Sequence, residues 1–379
     1  MSVLLKINSD SIEYTYSRYD TDKGFILTNQ TIDPELPDNK DEVYITSPLK
    51  LDTDFNEKDF EIHFLTKKDI KENEIFQIYT ANDPRDKKRV GWLIPTNSLD
   101  SDQHDYSENP HFLKYAYKAI EEAIIHASPD IYMHLATCDS SGRVNLSDIF
   151  HKNTVILIIS KETLVENQVE FDIDKASPSL IKHGYVKLTS NSPDTIWLTS
   201  DPHNLESIFI TPISENIQNY QLVSELLNSS FAYEKNSFFQ FFFLYQIIEL
   251  LMDDIFQNQQ NALVDKLIEI RSDSGKVKDV LENINKSVKE KKRLSLLIDD
   301  YTTTKSELEA LKENCNQLLR HLDREPGKEF HEYLYPIRNF IFHQYRDFPE
   351  IARTNLDHVV KELIDIIPGL LSTYSYPRV

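Results

Sequence analysis

The chain has 379 residues, 40% of them hydrophobic and 27% charged, which excludes a disordered or fibrous protein and leaves room for about two domains. Its formal charge of -21 argues against a protein that coats nucleic acid through its general surface field. The acidity is uneven: residues 221–379 carry 20 Lys+Arg against 25 Asp+Glu, a net of -5, which leaves 21 against 37, a net of -16, for residues 1–220.

Up to about residue 215 the chain alternates short β-like runs with polar turns. The runs are "SVLLKI", "IEYTYS", "GFILTN", "EVYIT", "FEIHFLT", "EIFQIYT", "VGWLIP", then "TVILIIS", "YVKLTS", "TIWLTS" and "SIFITPI". Their alternation and their β-branched and aromatic residues predict strands. One helix interrupts them, "NPHFLKYAYKAIEEAIIHA", with Phe112, Ala116, Ile120, Ala123 and Ile124 at helical spacing. Seven glycines leave little material for a phosphate-cradling loop, and P-loop, dinucleotide, nucleophile-elbow and HExxH patterns are absent.

From about residue 217 the period becomes helical. Ser237 to Phe256 is apolar almost all round, broken by Gln240, Gln246, Glu249, Asp253 and Asp254, and reads as a central buried helix capped by Asn236 or Ser237. Two long helices, about 276–299 and 304–323, are expected to form an antiparallel hairpin. Glu325, Pro326 and Gly327 then break the chain. A helix from about Lys328 through Tyr345 follows, and a last one from about Glu350 to Ile367, ended by Pro368 and Gly369. The expected fold class is therefore α+β: a strand-rich, acidic α/β domain over residues 1–216 with a sensing or regulatory role, in one piece or two, and an all-α bundle over 217–379.

Cys138 and Cys315 lie far apart, so neither a disulfide framework nor a cysteine zinc cage is expected. His126 and His134, or His104 and His111, lack metal-pair spacing. No stretch reaches the roughly 18 apolar residues of a membrane span, and the start lacks the pattern of a secretory signal. A cytoplasmic protein without membrane contact, metal or cofactor is the expectation.

Chemistry concentrates in "PIRNFIFHQY", residues 336–345. On a helix Asn339 and His343 share a face, and Arg338, one position earlier, can reach the same region. A permanently charged fork, an orienting amide and an imidazole suit phosphate chemistry. Arg338, Asn339 and His343 match in type and spacing the motif of the HEPN domain, a small helical bundle of prokaryotic ribonuclease toxins and abortive-infection defence proteins, which this segment resembles. "RNFIFHQY" also fits the longer form, ending in Tyr345, of HEPN toxins that pair with nucleotidyltransferase antitoxins. Glu249 stands for the acidic residue the family tends to carry on an early bundle helix. The likeness covers about residues 217–379 and is sharp over some 30 residues from Glu332. A large acidic domain before the bundle and the segment 276–323 depart from those small toxins.

The resemblance implies metal-independent RNA cleavage by 2'-hydroxyl attack in a cleft shared by two copies, each supplying Arg338, Asn339 and His343, with Glu249 and Tyr345 in support. One imidazole cannot accept and donate a proton at once, which explains the two-fold pair that the resemblance implies. The phenylalanine-rich stretch 238–243 is a candidate for part of the dimer surface. Lys289, Lys291, Lys292 and Arg293 are either a path for an RNA backbone or a solvated helix face. An antitoxin, a phage-derived trigger or another protein are the candidate partners. Arg338 paired with Glu249 in an inert bundle would read identically, so a non-catalytic dimerising or nucleotide-binding adaptor stays open, as does a toxin neutralised through Tyr345.

Overall fold

The computed structural model describes residues 3–7, 10–29, 42–53, 59–71, 73–80, 87–126, 136–137, 142–188, 192–200, 205–287 and 289–377. Cys138 and His134 lie outside the described residues. The fold is α+β, strand-rich at first and helical afterwards. Two compact units divide the chain, Met1–Ile173 with His183–Ile210, and Asp174–Lys182 with Thr211–Val379.

Among the described residues the first unit holds two six-stranded sheets. Strands β1 (Val3–Ile7), β2 (Asp10–Asp20), β3 (Gly24–Asn29) and β4 (Glu42–Ile45) pair antiparallel in that order. The second sheet takes β5 (Phe60–Thr66), β6 (Phe76–Thr80) and β7 (Lys88–Pro95). Helix α1 (Pro110–Ile125) comes next, its first turn capped by the Asn109 side chain, which accepts from the His111 and Phe112 amides at 3.0 Å. The short strands β8 (Ala136–Thr137) and β9 (Arg143–Val144) add parallel edges to the first sheet, whose order is β8-β1-β2-β3-β4-β9. β10 (Thr154–Ser160), β11 (Val186–Lys187) and β12 (Ser207–Ile210) complete the second, in the order β11-β5-β10-β7-β6-β12.

The apolar run "TVILIIS" is buried at every position because β10 lies between β5 and β7. Gly91 permits that pairing, since a Cβ there would stand 2.0 Å from the Ile158 carbonyl oxygen. α1 packs on β2 of one sheet and on β5, β7 and β10 of the other, so both sheets share one core. Tyr117 stacks on Phe25, centroids 5.5 Å apart, while Phe112 meets Trp92 edge-on at 5.4 Å.

"TIWLTS" departs from expectation. Pro193–Thr195 forms a single 3-10 turn and residues 196–200 are not a strand. The alternation still sorts burial, with Ile196 and Leu198 inside and Trp197 exposed, so its period records a face rather than a ladder.

The second unit is helical. α2 (Ile173–Lys182) belongs to it: the Lys175 carbonyl accepts from the Ile213 amide at 3.0 Å, and Ser177 Oγ accepts from Asn228 Nδ2 at 2.9 Å. After α3 (Tyr220–Glu225) comes α4 (Ser237–Glu269), capped by Asn236, which accepts from the Phe238 amide. Then follow α5 (Ser274–Ser287), α6 (Glu290–Leu296), α7 (Glu309–His321), α8 (Phe330–Gln344) and α9 (Arg353–Thr373).

Two helical expectations are corrected. The segment 276–299 is not one arm of a hairpin: it breaks between α5 and α6, α5 packs on α4, α6 packs on α4 and α8, and α7 packs on α8 and α9. Nor does the last helix end at Pro368. Proline removes its own N–H from the ladder and crowds the carbonyl four residues back, but Ile366, Ile367, Leu370 and Leu371 are all buried, so packing carries the helix on to Thr373. Gly369 fits there because a Cβ would stand 3.0 Å from Thr304 Cγ2. No helix among the described residues is long and apolar enough to cross a membrane.

Cys315 lies on the inner face of α7, fully buried, and that burial pushes its thiol well above the ordinary range. In a Cys138→Ser protein, a thiol reagent should leave Cys315 unmodified in native buffer and label it fully in denaturant. Stoichiometric labelling within minutes under native conditions would contradict this packing.

Candidate functional site

The motif helix starts where it does because four hydrogen bonds hold its N-terminal end. Asn316 on α7 clasps Gly327 twice, its Oδ1 accepting from the amide at 2.8 Å and its Nδ2 donating to the carbonyl at 2.9 Å. A Cβ at Gly327 would come within 2.5 Å of the Glu332 carbonyl carbon, so the approach requires glycine. Glu332 then caps the turn, accepting from the Lys328 and Glu329 amides. From there Phe330, Tyr333, Leu334, Ile337, Phe340 and Ile341 face the core at three- and four-residue spacing. Tyr335, Arg338, Asn339 and His343 are left on the other side.

Arg338 turns toward α4 and α6. Its Nη2 donates to Glu249 Oε1 at 2.9 Å, and its Nε lies 3.6 Å from Glu290 Oε1, an ion-pair distance longer than a hydrogen bond. The guanidinium sits over the rings of Phe342, at 4.7 Å, and Tyr245, at 5.7 Å. Only 18% of this side chain is exposed. Burial works against its charge, but the Glu249 hydrogen bond and the Glu290 carboxylate outweigh it and hold the pKa above the ordinary arginine value. Tyr245 donates to Glu290 Oε1 at 2.8 Å, and Gln246 donates to Glu249 at 2.5 Å. Burial first, and then the Glu290 charge, push the Tyr245 phenol far above its usual range, so it stays a donor.

Asn339 and His343, unlike Arg338, line a cleft of about 590 Å³ whose lining also includes Lys291, Arg324, Tyr335 and Gln344. The three motif residues therefore meet without all facing the cleft. Arg338 Nη1 donates to Asn339 Oδ1 at 3.2 Å, which turns the amide nitrogen of Asn339 away from Arg338. His343 is exposed at the end of the helix. Tyr345 opens the 3-10 turn Tyr345–Asp347 that follows α8. Glu249 also lines a separate pocket of about 420 Å³ with Asp253 and Asp254.

The basic run divides likewise. Arg293 is bound to Asp253 at 3.0 Å and lies over Phe256, which makes it a strut between α6 and α4. Lys289 and Lys292 are exposed, and Lys291 stands 5.3 Å from the Tyr335 ring centroid.

No protein-family model, curated protein or solved structure matches this chain.

Sequence reasoning missed Tyr245, Glu290, Arg324, Tyr335 and Gln344. Tyr335, Asn339 and His343 recur at i, i+4 and i+8, a stripe readable without coordinates. Tyr245 likewise precedes Glu249 by four. Arg324 precedes the chain break, and nothing in its neighbourhood announces a role.

Chemically, the cleft combines an imidazole, amide donors, two cations and an aromatic face, while the Arg338 network beside it fixes the amide. Breaking a fully buried ion pair costs about 3–5 kcal/mol and an exposed one about 0–1 kcal/mol, so Arg338→Ala should destabilise by about 1–3 kcal/mol in chemical denaturation. Adding Glu249→Gln to that variant should recover part of the loss, because a carboxylate without its partner is removed. Strictly additive losses would show that the pair is not coupled.

Proposed function

We propose that the helical unit is a HEPN-like endoribonuclease of a toxin or antiphage abortive-infection system, acting as a homodimer and restrained by the acidic N-terminal unit. The observation that carries this reading is the shared wall of Asn339 and His343 on a cleft bordered by Lys291 and Arg324, with Arg338 locked beside it. The ribose 2'-oxygen attacks the adjacent phosphorus, the bond to the 5'-oxygen breaks, and the products are a 2',3'-cyclic phosphate and a 5'-hydroxyl. One His343 takes the 2'-hydroxyl proton, and its counterpart in the second copy donates one to the leaving oxygen. Asn339 positions the phosphate, and Arg338 lends positive charge from alongside.

The dimer has support near the motif. Phe239 is 54% and Phe242 37% exposed, and Phe242 lies 5.4 Å from Phe342, the ring beneath Arg338. Large exposed aromatic side chains grouped beside a site suit contact with a second copy. The net of -16 over residues 1–220 would lower, without abolishing, RNA affinity until a phage-derived trigger or partner intervenes.

A second reading has its own observation. Arg338 is engaged by two carboxylates and does not line the cleft, as it would in a structural bundle serving a non-catalytic adaptor.

Cells expressing wild type, Arg338→Ala and His343→Ala, with and without phage, decide between them. The nuclease reading expects wild type alone to arrest growth and cut total or transfer RNA, and loss of His343 to slow purified cleavage at least about 100-fold. Cleavage should persist in EDTA and leave cyclic phosphate ends. Equal behaviour of all three, with folded protein, favours the adaptor.

A further inference from the structure

The cleft holds more than the motif requires. Tyr335, Asn339 and His343 lie along one face of α8 over roughly 12 Å, at 1.5 Å per residue. Lys291 from α6 and Arg324 from the turn after α7 line the same cleft. Arg293 and Arg338 are held by Asp253 and Glu249, whereas Lys291 and Arg324 form no ion pair among the described residues. Arg324 donates to Gln344 Oε1 at 3.2 Å, and Lys291 stands over Tyr335. Glu325, also in the lining, offsets one of the two charges.

These groups are those that bind an unpaired nucleotide. Its base has a π-face for the half-buried Tyr335 ring, its edge has donors and acceptors for the amides of Asn339 and Gln344, and its flanking phosphates suit Lys291 and Arg324. A volume of about 590 Å³ falls within the 300–1,000 Å³ or so typical of small-ligand sites. In-line attack adds a geometric demand. The 2'-oxygen, phosphorus and 5'-oxygen must align, which a base-paired A-form strand does not allow. A nucleotide swung out of the stack and held by its base meets that demand.

Given the RNA-cleaving reading, on which this rests, we infer that the cleft is a base-stacking subsite for an unpaired nucleotide next to the scissile phosphate. Tyr335 is its platform, Lys291 and Arg324 hold its phosphates, and Gln344 reads the base edge. Base entry moves the Lys291 ammonium off the Tyr335 ring and onto a phosphate. The substrate class is single-stranded RNA or loops, and base preference at this position is set by Gln344 and Asn339.

The test is binding, read by fluorescence anisotropy on the full chain with a short 2'-O-methyl oligoribonucleotide, which lacks the attacking hydroxyl, and with its duplex. Wild type should bind the single strand more tightly than the duplex. Tyr335→Ala should weaken single-strand binding roughly 5- to 150-fold and leave duplex binding unchanged, while Tyr335→Phe, which keeps the ring, should bind like wild type. Lys291→Ala and Arg324→Ala should each reduce the salt-dependence slope by about 0.7. Unchanged single-strand binding in Tyr335→Ala, equal or tighter duplex binding by wild type, or no binding at all overturns the subsite. The two readings fail separately. RNA cleavage by wild type with unchanged binding in Tyr335→Ala removes the subsite and keeps the nuclease. Tyr335-dependent binding by a protein that cuts no RNA keeps the binding site and removes the nuclease.

Discussion

A guanidinium that is mostly out of water has to be neutralised where it stands, and Arg338 imposes that requirement on three helices at once. Glu249 comes from α4, Glu290 from α6, and Arg338 from α8, with the rings of Tyr245 and Phe342 filling the remaining space. Such an arrangement tolerates little rotation, because turning α8 would leave a charge buried and unpaired. With α8 fixed about its axis, Asn339 and His343 have to face the cleft. A network that looks structural thus sets the direction in which the chemical groups point.

The charges around α8 are sorted by side. Behind Arg338, the polar face of α4 carries Glu249, Asp253 and Asp254 along a pocket of its own. Asp254 accepts from Tyr374 and Tyr376, so the C-terminal segment is tied to the same face. In front, Lys291 and Arg324 border the cleft. An anionic ligand would be drawn to the front and repelled from the back, although the chain as a whole is strongly acidic. Net charge alone conceals this polarity.

The first unit follows a different physical rule. Its two sheets are joined through α1, whose faces meet both, and the core depends on aromatic pairs on each side of that helix. The chain then contributes α2 to the helical unit, returns for β11 and β12, and leaves again at residue 211. The strand character of β11 and β12 was legible because alternation is a local signal, whereas the helix at Ile173–Lys182 was not read from the sequence. Interleaving of units is not local, and no composition shift marks residues 174–182.

By itself the sequence determined the α+β class, nearly every strand, a cap at Asn236 or Ser237, the break at 325–327, and a helix that brings Asn339 and His343 onto one face. Each of these follows from near-neighbour spacing and backbone chemistry. The tertiary structure alone decided that Arg338 turns inward to Glu249 and Glu290, that Arg324 joins the cleft, that α5 lies on α4 instead of pairing with α7, and that α9 continues past Pro368. The reason is the same in each case. Which carboxylate neutralises a buried cation, and whether burial outweighs one missing hydrogen bond, depend on residues far away in the chain.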